Sequence, residues 1–239
     1  MIWWIIATLC AFYIKGLCGF ANTLVFTTIM SFGVSNRSIS PVELLLGYPS
    51  NALIAYRERK SIDKRLCLPL AALVVLGSIP GMLLLKNADT GDIKLVFGVV
   101  IVLLGIEMLL RERYKGGAKE SKGKLALIGL LSGVLCGLYG VGALLGAYIG
   151  RVAKDVSSFR ANICVVFFVE NTLRIAIYVM VGLLDRGTAL MALSLLPAAL
   201  LGLFLGAKSA GVVSEKTAKR LVMILLILSG VSLIAGQLR

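Results

Sequence analysis

Two stretches decide the fold. Lys15-Gly16-Leu17-Cys18-Gly19-Phe20-Ala21-Asn22 sits midway through an apolar run of residues 2–33. Gly133-Val134-Leu135-Cys136-Gly137-Leu138-Tyr139-Gly140-Val141-Gly142 sits midway through another, residues 125–150. A membrane crossing takes about 20 apolar residues, so each run is too short for two full crossings, yet long enough for a hairpin that reaches mid-membrane. Glycine at this spacing serves close helix packing, or it breaks a helix where protein or a cavity can satisfy the freed backbone. The glycines alone leave both readings open.

Composition places these runs in a bilayer. Of 239 residues, 59% are hydrophobic and 15% charged, against roughly 45–50% and about 25% in soluble domains. Mean hydropathy is +0.95. A soluble globule has too few polar residues here to cover its surface, which excludes a soluble enzyme, a nucleic-acid module and a disordered chain. The absence of histidine removes imidazole chemistry and the commonest metal ligand. Cys10, Cys18, Cys67, Cys136 and Cys164 form no CxxC and lie in apolar stretches, where cysteine acts as a small hydrophobe. No metal or cofactor is expected. The net charge of +13 resides mostly in short loops and reads as a topology signal and as contacts to anionic headgroups, not as a nucleic-acid surface. Met1-Ile2-Trp3-Trp4 lacks the features of a cleaved signal peptide, and its tryptophans suit an interfacial anchor.

Eight apolar segments follow: 2–33, 41–56, 66–85, 93–110, 125–150, 160–184, 187–207 and 219–237. The second four repeat the first. Leu17-Cys18-Gly19 recurs as Leu135-Cys136-Gly137, Asn51 as Asn171, Pro80 as Pro197, and Lys94 with Gly105 as Lys219 with Gly230, at offsets of 118, 120, 117 and 125. If all eight segments cross, basic residues divide thirteen against ten. If the first and fifth dip in and return, loops 57–65, 111–124, 151–160 and 208–220 share one side with eighteen basic residues against five. The positive-inside rule selects the second arrangement. The expected protein is therefore all-α and polytopic, with two inverted repeats, each a broken hairpin plus three transmembrane helices. The first repeat is 1–110, a cytoplasmic loop covers 111–124, the second repeat is 125–239, and both termini lie outside. Broken helices meeting at mid-membrane are a secondary-transporter architecture, with the site where the breaks approach.

Polar side chains inside spans are costly and mark function. Lys15 lies mid-segment beside Gly16, where snorkelling to the interface is the alternative. Asn22 flanks the same break. Asn51 and Asn171 occupy equivalent mid-depth positions, as a shared site or as interhelical bonds. Glu170 and Arg174 share a helix face at i, i+4, as a structural ion pair or as an arginine available to an oxyanion. Gly19, Tyr139, Gly140 and Gly142 complete the expected substrate-binding set, with Glu170 as coupling residue or ion-pair partner; Arg160 is a further candidate. No GxxxxGK[ST] loop is present, so ATP is not expected to drive the chain.

The run from Lys15 through Val25 resembles the "GxxGFGN" opening of the sulfite exporter TauE/SafE family, with Ala21 in place of the second glycine. Gly133 to Gly142 is similar to that family's second glycine run, with Ala143 where another glycine is usual. The resemblance covers nearly the whole chain. It implies transport of small anions, often sulfur-containing, such as sulfite, sulfonates or thiosulfate. A potential of about 100 mV, negative inside, drives each negative charge outward with about 2.3 kcal/mol, so export needs no ATP. The competing classes are a lipid flippase or non-transporting scaffold, and a membrane-embedded lipid-phosphate enzyme. The last is disfavoured by the missing histidine. A homodimer is the base-rate expectation for assembly.

Overall fold

The computed structural model describes residues 1–30, 34, 36–85, 122–140 and 142–210, with scattered positions within 95–106 and 220–234. The expected spans 93–110 and 219–237 fall mostly outside the described residues, as do Lys94, Gly105, Lys219 and the loop 111–121. The elements are α1 (Ile2–Cys18), α2 (Asn22–Met30), α3 (Asn36–Arg57), a 3-10 turn (Arg59–Ser61), α4 (Lys64–Leu85), α5 (Lys122–Tyr139), α6 (Ala143–Val152), α7 (Val156–Met180) and α8 (Arg186–Ser209). No strand occurs among the described residues. The protein is an all-α membrane protein. Lys64–Leu83, Val156–Met180 and Arg186–Ser209 are each long and apolar enough to cross a bilayer. Leu76, Leu193, Leu200 and Phe204 face outward, whereas Lys15, Glu43, Glu170 and Arg174 are buried, the polarity that lipid as solvent selects.

Both glycine-rich runs are interrupted: α1 gives way to α2, and α5 to α6. The first run also turns back. Trp4 in the first turn of α1 meets Phe26 of α2 edge to face, with ring centroids 5.8 Å apart. A continuous helix would hold those residues roughly 33 Å apart along its axis.

The long helices are neighbours in the order α5–α4–α7–α3–α8–α1, with α2 against α3 and α6 against α7. Exchanging the first four helices with the last four leaves this order unchanged. At the centre, α3 and α7 run antiparallel: Ser40 bonds Tyr178 at 3.0 Å, the Thr172 hydroxyl donates to Tyr48 Oη at 3.2 Å, and beyond α3 the Asp63 N–H donates to Asn162 Oδ1 at 2.8 Å. The outer pairs are parallel and close on glycine. A Cβ at Gly16 would strike the α8 backbone at Leu203 and Ala207, and one at Gly206 would strike Tyr13. A Cβ at Gly81 or Gly137 would likewise strike the partner backbone between α4 and α5. Such backbone approach is the main attraction between helices in lipid, where apolar burial contributes little.

These seams correct two sequence matches. Gly77 and Gly81 correspond in role to Gly202 and Gly206, so Pro80 and Pro197 are not equivalent, although each lies within its helix. Gly137 is a packing glycine whose counterpart is Gly16; the counterpart of Gly19 is Gly140, three residues beyond the match by motif. Both readings of the glycines therefore hold, at different positions.

Candidate functional site

At the first break Gly19 adopts φ 85° and donates its N–H to the Lys15 carbonyl at 2.7 Å. Ala21 follows at φ 73°, a conformation that costs a residue with a Cβ about 1–2 kcal/mol. This is the position where the sequence departs from the glycine of the motif. At the second break Gly140 adopts φ 69° and donates to the Cys136 carbonyl at 2.7 Å, and Gly142 precedes α6 as its N-cap. An arginine of α7 serves each break. Arg160 donates to the Leu17 carbonyl, and Arg174 Nη1 donates to the Cys136 carbonyl at 2.9 Å. Arg160 satisfies a carbonyl that the C-terminus of α1 leaves open, and Arg174 adds a second bond to a carbonyl that already accepts the Gly140 N–H; each brings the charge that a helix C-terminus favours. Arg160, read in sequence with the loop 151–160, thus belongs to the helix and supports the first break.

The breaks meet: a Cβ at Gly140 would lie 2.9 Å from Thr23 Cγ2 and 2.8 Å from Arg174 Nη1. Between them is a cavity of about 20 Å³, room for about one water molecule. Asn22, Thr23 and Leu24 of α2 line it together with Glu43 and Asn51 of α3, Gly140 and Gly142 of the second break, and Phe167, Asn171 and Arg174 of α7. The first turn of α2 therefore opens onto this space.

Six of the sequence-derived candidates line the cavity: Asn22, Asn51, Gly140, Gly142, Asn171 and Arg174. Lys15 stands one bond behind it. It does not snorkel: it is 1% exposed, and its Nζ donates to Asn51 Oδ1 at 2.7 Å and to the Gly47 carbonyl at 3.5 Å. Gly19 shapes the first break against Arg160. Glu170 forms an ion pair with Arg174 at 3.3 Å, outside the cavity wall, and neither of its carboxylate oxygens has a hydrogen-bond partner. The backbone of Tyr139 closes α5, and its side chain lies outside the described part of the structure.

The sequence reading missed Glu43. It is 2% exposed, lines the cavity and accepts hydrogen bonds from the Asn22 side chain and the Thr23 hydroxyl. The signal was an acid near the start of the expected span 41–56, where acids are rare. Glu43 changes the charge balance. A site expected to be cationic holds Lys15 and Arg174 against Glu43 and Glu170.

Broken apolar helices that bring charged side chains together around a cavity are an arrangement found in membrane transporters. The model of the sulfite exporter TauE/SafE family matches residues 4–233, and the chain belongs to that family. It is thus a membrane transporter of the sulfite-exporter type. Comparison with curated proteins and with solved structures gives no match.

Proposed function

We propose that the chain is a secondary transporter exporting small sulfur-containing anions, such as sulfite or sulfonates, by alternating access. The observation that carries this reading is the cavity at the meeting of the two breaks, bounded by the first turn of α2 and by Arg174. Free N–H groups at a helix N-terminus attract anions, and the guanidinium fork matches an oxyanion. The asparagines add donors. Lys15 Nζ and Arg174 Nη2 each hold an asparagine Oδ1 at 2.7 Å. Because a cation can bond only the oxygen end of a carboxamide, the Nδ2 groups of Asn51 and Asn171 are left for an acceptor in the cavity.

A sulfite ion is larger than the space present, so loading requires the breaks to part on one side. The antiparallel α3–α7 pairing and the exchange of packing partners support two inverted halves, 1–110 and 125–239, rocking about α3 and α7. The basic loops then face the cytoplasm and its anionic headgroups, with both termini outside the plasma membrane. A homodimer is the assembly proposed. Transport of this kind involves no catalytic step and no cofactor.

Flux of sulfite, sulfoacetate, thiosulfate and sulfate from liposomes holding the purified protein tests the proposal. At least one sulfur oxyanion is expected to move, and to raise the melting temperature of the detergent-solubilised protein at millimolar concentration. Absence of both effects for all four anions sinks the reading.

A further inference from the structure

Resting on that reading, we infer that Glu43 is an internal counter-anion. Its carboxylate occupies the anion seat in the empty transporter and gives up that seat by taking a proton when the substrate anion arrives.

The seat is visible in the bonding. Glu43 reaches out of α3 to the first turn of α2, where Asn22 and Thr23 donate to it. That is the place a substrate oxyanion would be drawn by the α2 N–H groups. The charged and titratable groups around it come from each packed element. Lys15 of α1 and Arg174 of α7 attract the carboxylate, Glu170 stands behind Arg174, and the Cys136 thiol approaches from α5. Helix α8, also packed on α3, carries charge only at its ends, on Arg186 and Lys208. Counted as ionised, two cations and two carboxylates balance among these buried side chains. A monoanion entering that cluster adds one uncompensated charge where charge is least tolerated.

Protonation of Glu43 removes the excess. A proton from the aqueous phase on the loading side forms an O–H bond on the carboxylate, and the neutral acid leaves the α2 N-terminus to the substrate. On the far side the anion departs, the O–H bond breaks, the proton leaves, and the carboxylate returns to Asn22 and Thr23. Each cycle moves one anion with one proton, so the membrane potential does no work on the pair, the anion's own concentration gradient drives export, and the empty carrier returns with its charges balanced. Glu170 is not the exchanging group, because its carboxylate is held by Arg174 and does not line the cavity.

Sulfite is the probe, at a pH where it is the monoanion. Titration calorimetry of the wild-type protein in two buffers of different ionisation heat should count about one proton taken up per sulfite bound, the proton that offsets the added charge. Glu43→Gln should bind sulfite without that uptake. Its empty form carries an unbalanced positive charge across the membrane, so the ratio of net sulfite efflux to sulfite–sulfite exchange in liposomes should fall about 100-fold. A wild type that takes up no proton, or a variant whose ratio equals the wild-type value, overturns the inference. If Glu43→Gln does not fold, the wild-type proton count decides alone. Sulfite flux without proton uptake leaves the proposed transport standing and removes only the role of Glu43; a wild type that neither binds nor moves sulfite ends both.

Discussion

In the first half Lys15 reaches across from α1 to hold Asn51 of α3; in the second, Arg174 holds Asn171 from three residues away on the same helix. Both bonds are 2.7 Å and both asparagines line the cavity. The backbones around them match as well. The carbonyls of Lys15 and Cys136 each accept the N–H of the left-handed glycine that ends the helix. At the equivalent places the side chains do not match: Lys15 corresponds to Cys136, Arg174 to Ile54 and Glu43 to Ile163. The backbone geometry of the two breaks matches, and the charged side chains beside them do not.

The largest test of that asymmetry is Arg174→Ala. Flux is expected to fall to background, and stability by about 3–5 kcal/mol, because Glu170 is left as an uncompensated buried charge. Adding Glu170→Gln should recover most of the melting temperature and none of the flux. An Arg174→Ala protein that still transports would break the comparison.

Lys15→Met is the matching change in the first half. Its direct partners are an amide oxygen and a backbone carbonyl, not a carboxylate. The stability loss is therefore expected nearer 1–3 kcal/mol, roughly the loss for an unsatisfied buried polar group. Flux should fall less than in Arg174→Ala, since Lys15 sits behind Asn51 rather than in the cavity wall. Equal losses in both assays would make the two cations equivalent and remove the distinction.

The breaks themselves can be compared through their left-handed residues. Gly140→Ala should lower stability by about 1–2 kcal/mol, and it crowds Arg174 at 2.8 Å, so flux should drop with it. Ala21→Gly should do the reverse and stabilise by about 1 kcal/mol, since it removes a strained φ. Thermal unfolding in detergent reads both, and a destabilised Ala21→Gly would show that the first break draws its shape from elsewhere.

The smallest effect lies at a helix start outside the membrane. Asp185 caps α8, accepting from the Thr188 N–H and hydroxyl, each at 2.7 Å, and these bonds hold its carboxyl below the usual aspartate range. A depressed folded-state value means that the contribution is present above the unfolded value and fades as pH falls through the folded one. Wild type should therefore melt above Asp185→Ala at neutral pH, and the gap should close in strong acid. A gap independent of pH would show that the neutral Asp185 carboxyl caps the helix as well as the carboxylate does.

Much of this was legible in the residues. Spans showed as apolar runs because lipid leaves a chain little choice, and the breaks showed as long runs holding glycine and a lone lysine. Asn22, Asn51, Asn171 and Arg174 stood out because polar groups are scarce at depth. Two things misled. Short motif matches put Gly19 against Gly137, since similar triplets recur in glycine-rich helices and the turn that uses the glycine leaves no mark of its own. Glu43 passed unnoticed near the edge of its span, where an acid also suits an interface.

The residues alone establish that the chain is apolar, helical and interrupted at two places, because these follow from what a bilayer permits in any twenty-residue window. Which glycines bend and which pack, that Lys15 serves Asn51, and that Glu43 lines the same cavity as Arg174 emerge only in three dimensions. Those facts depend on distances between residues far apart in the chain, and low dielectric makes such distances decisive for every buried charge.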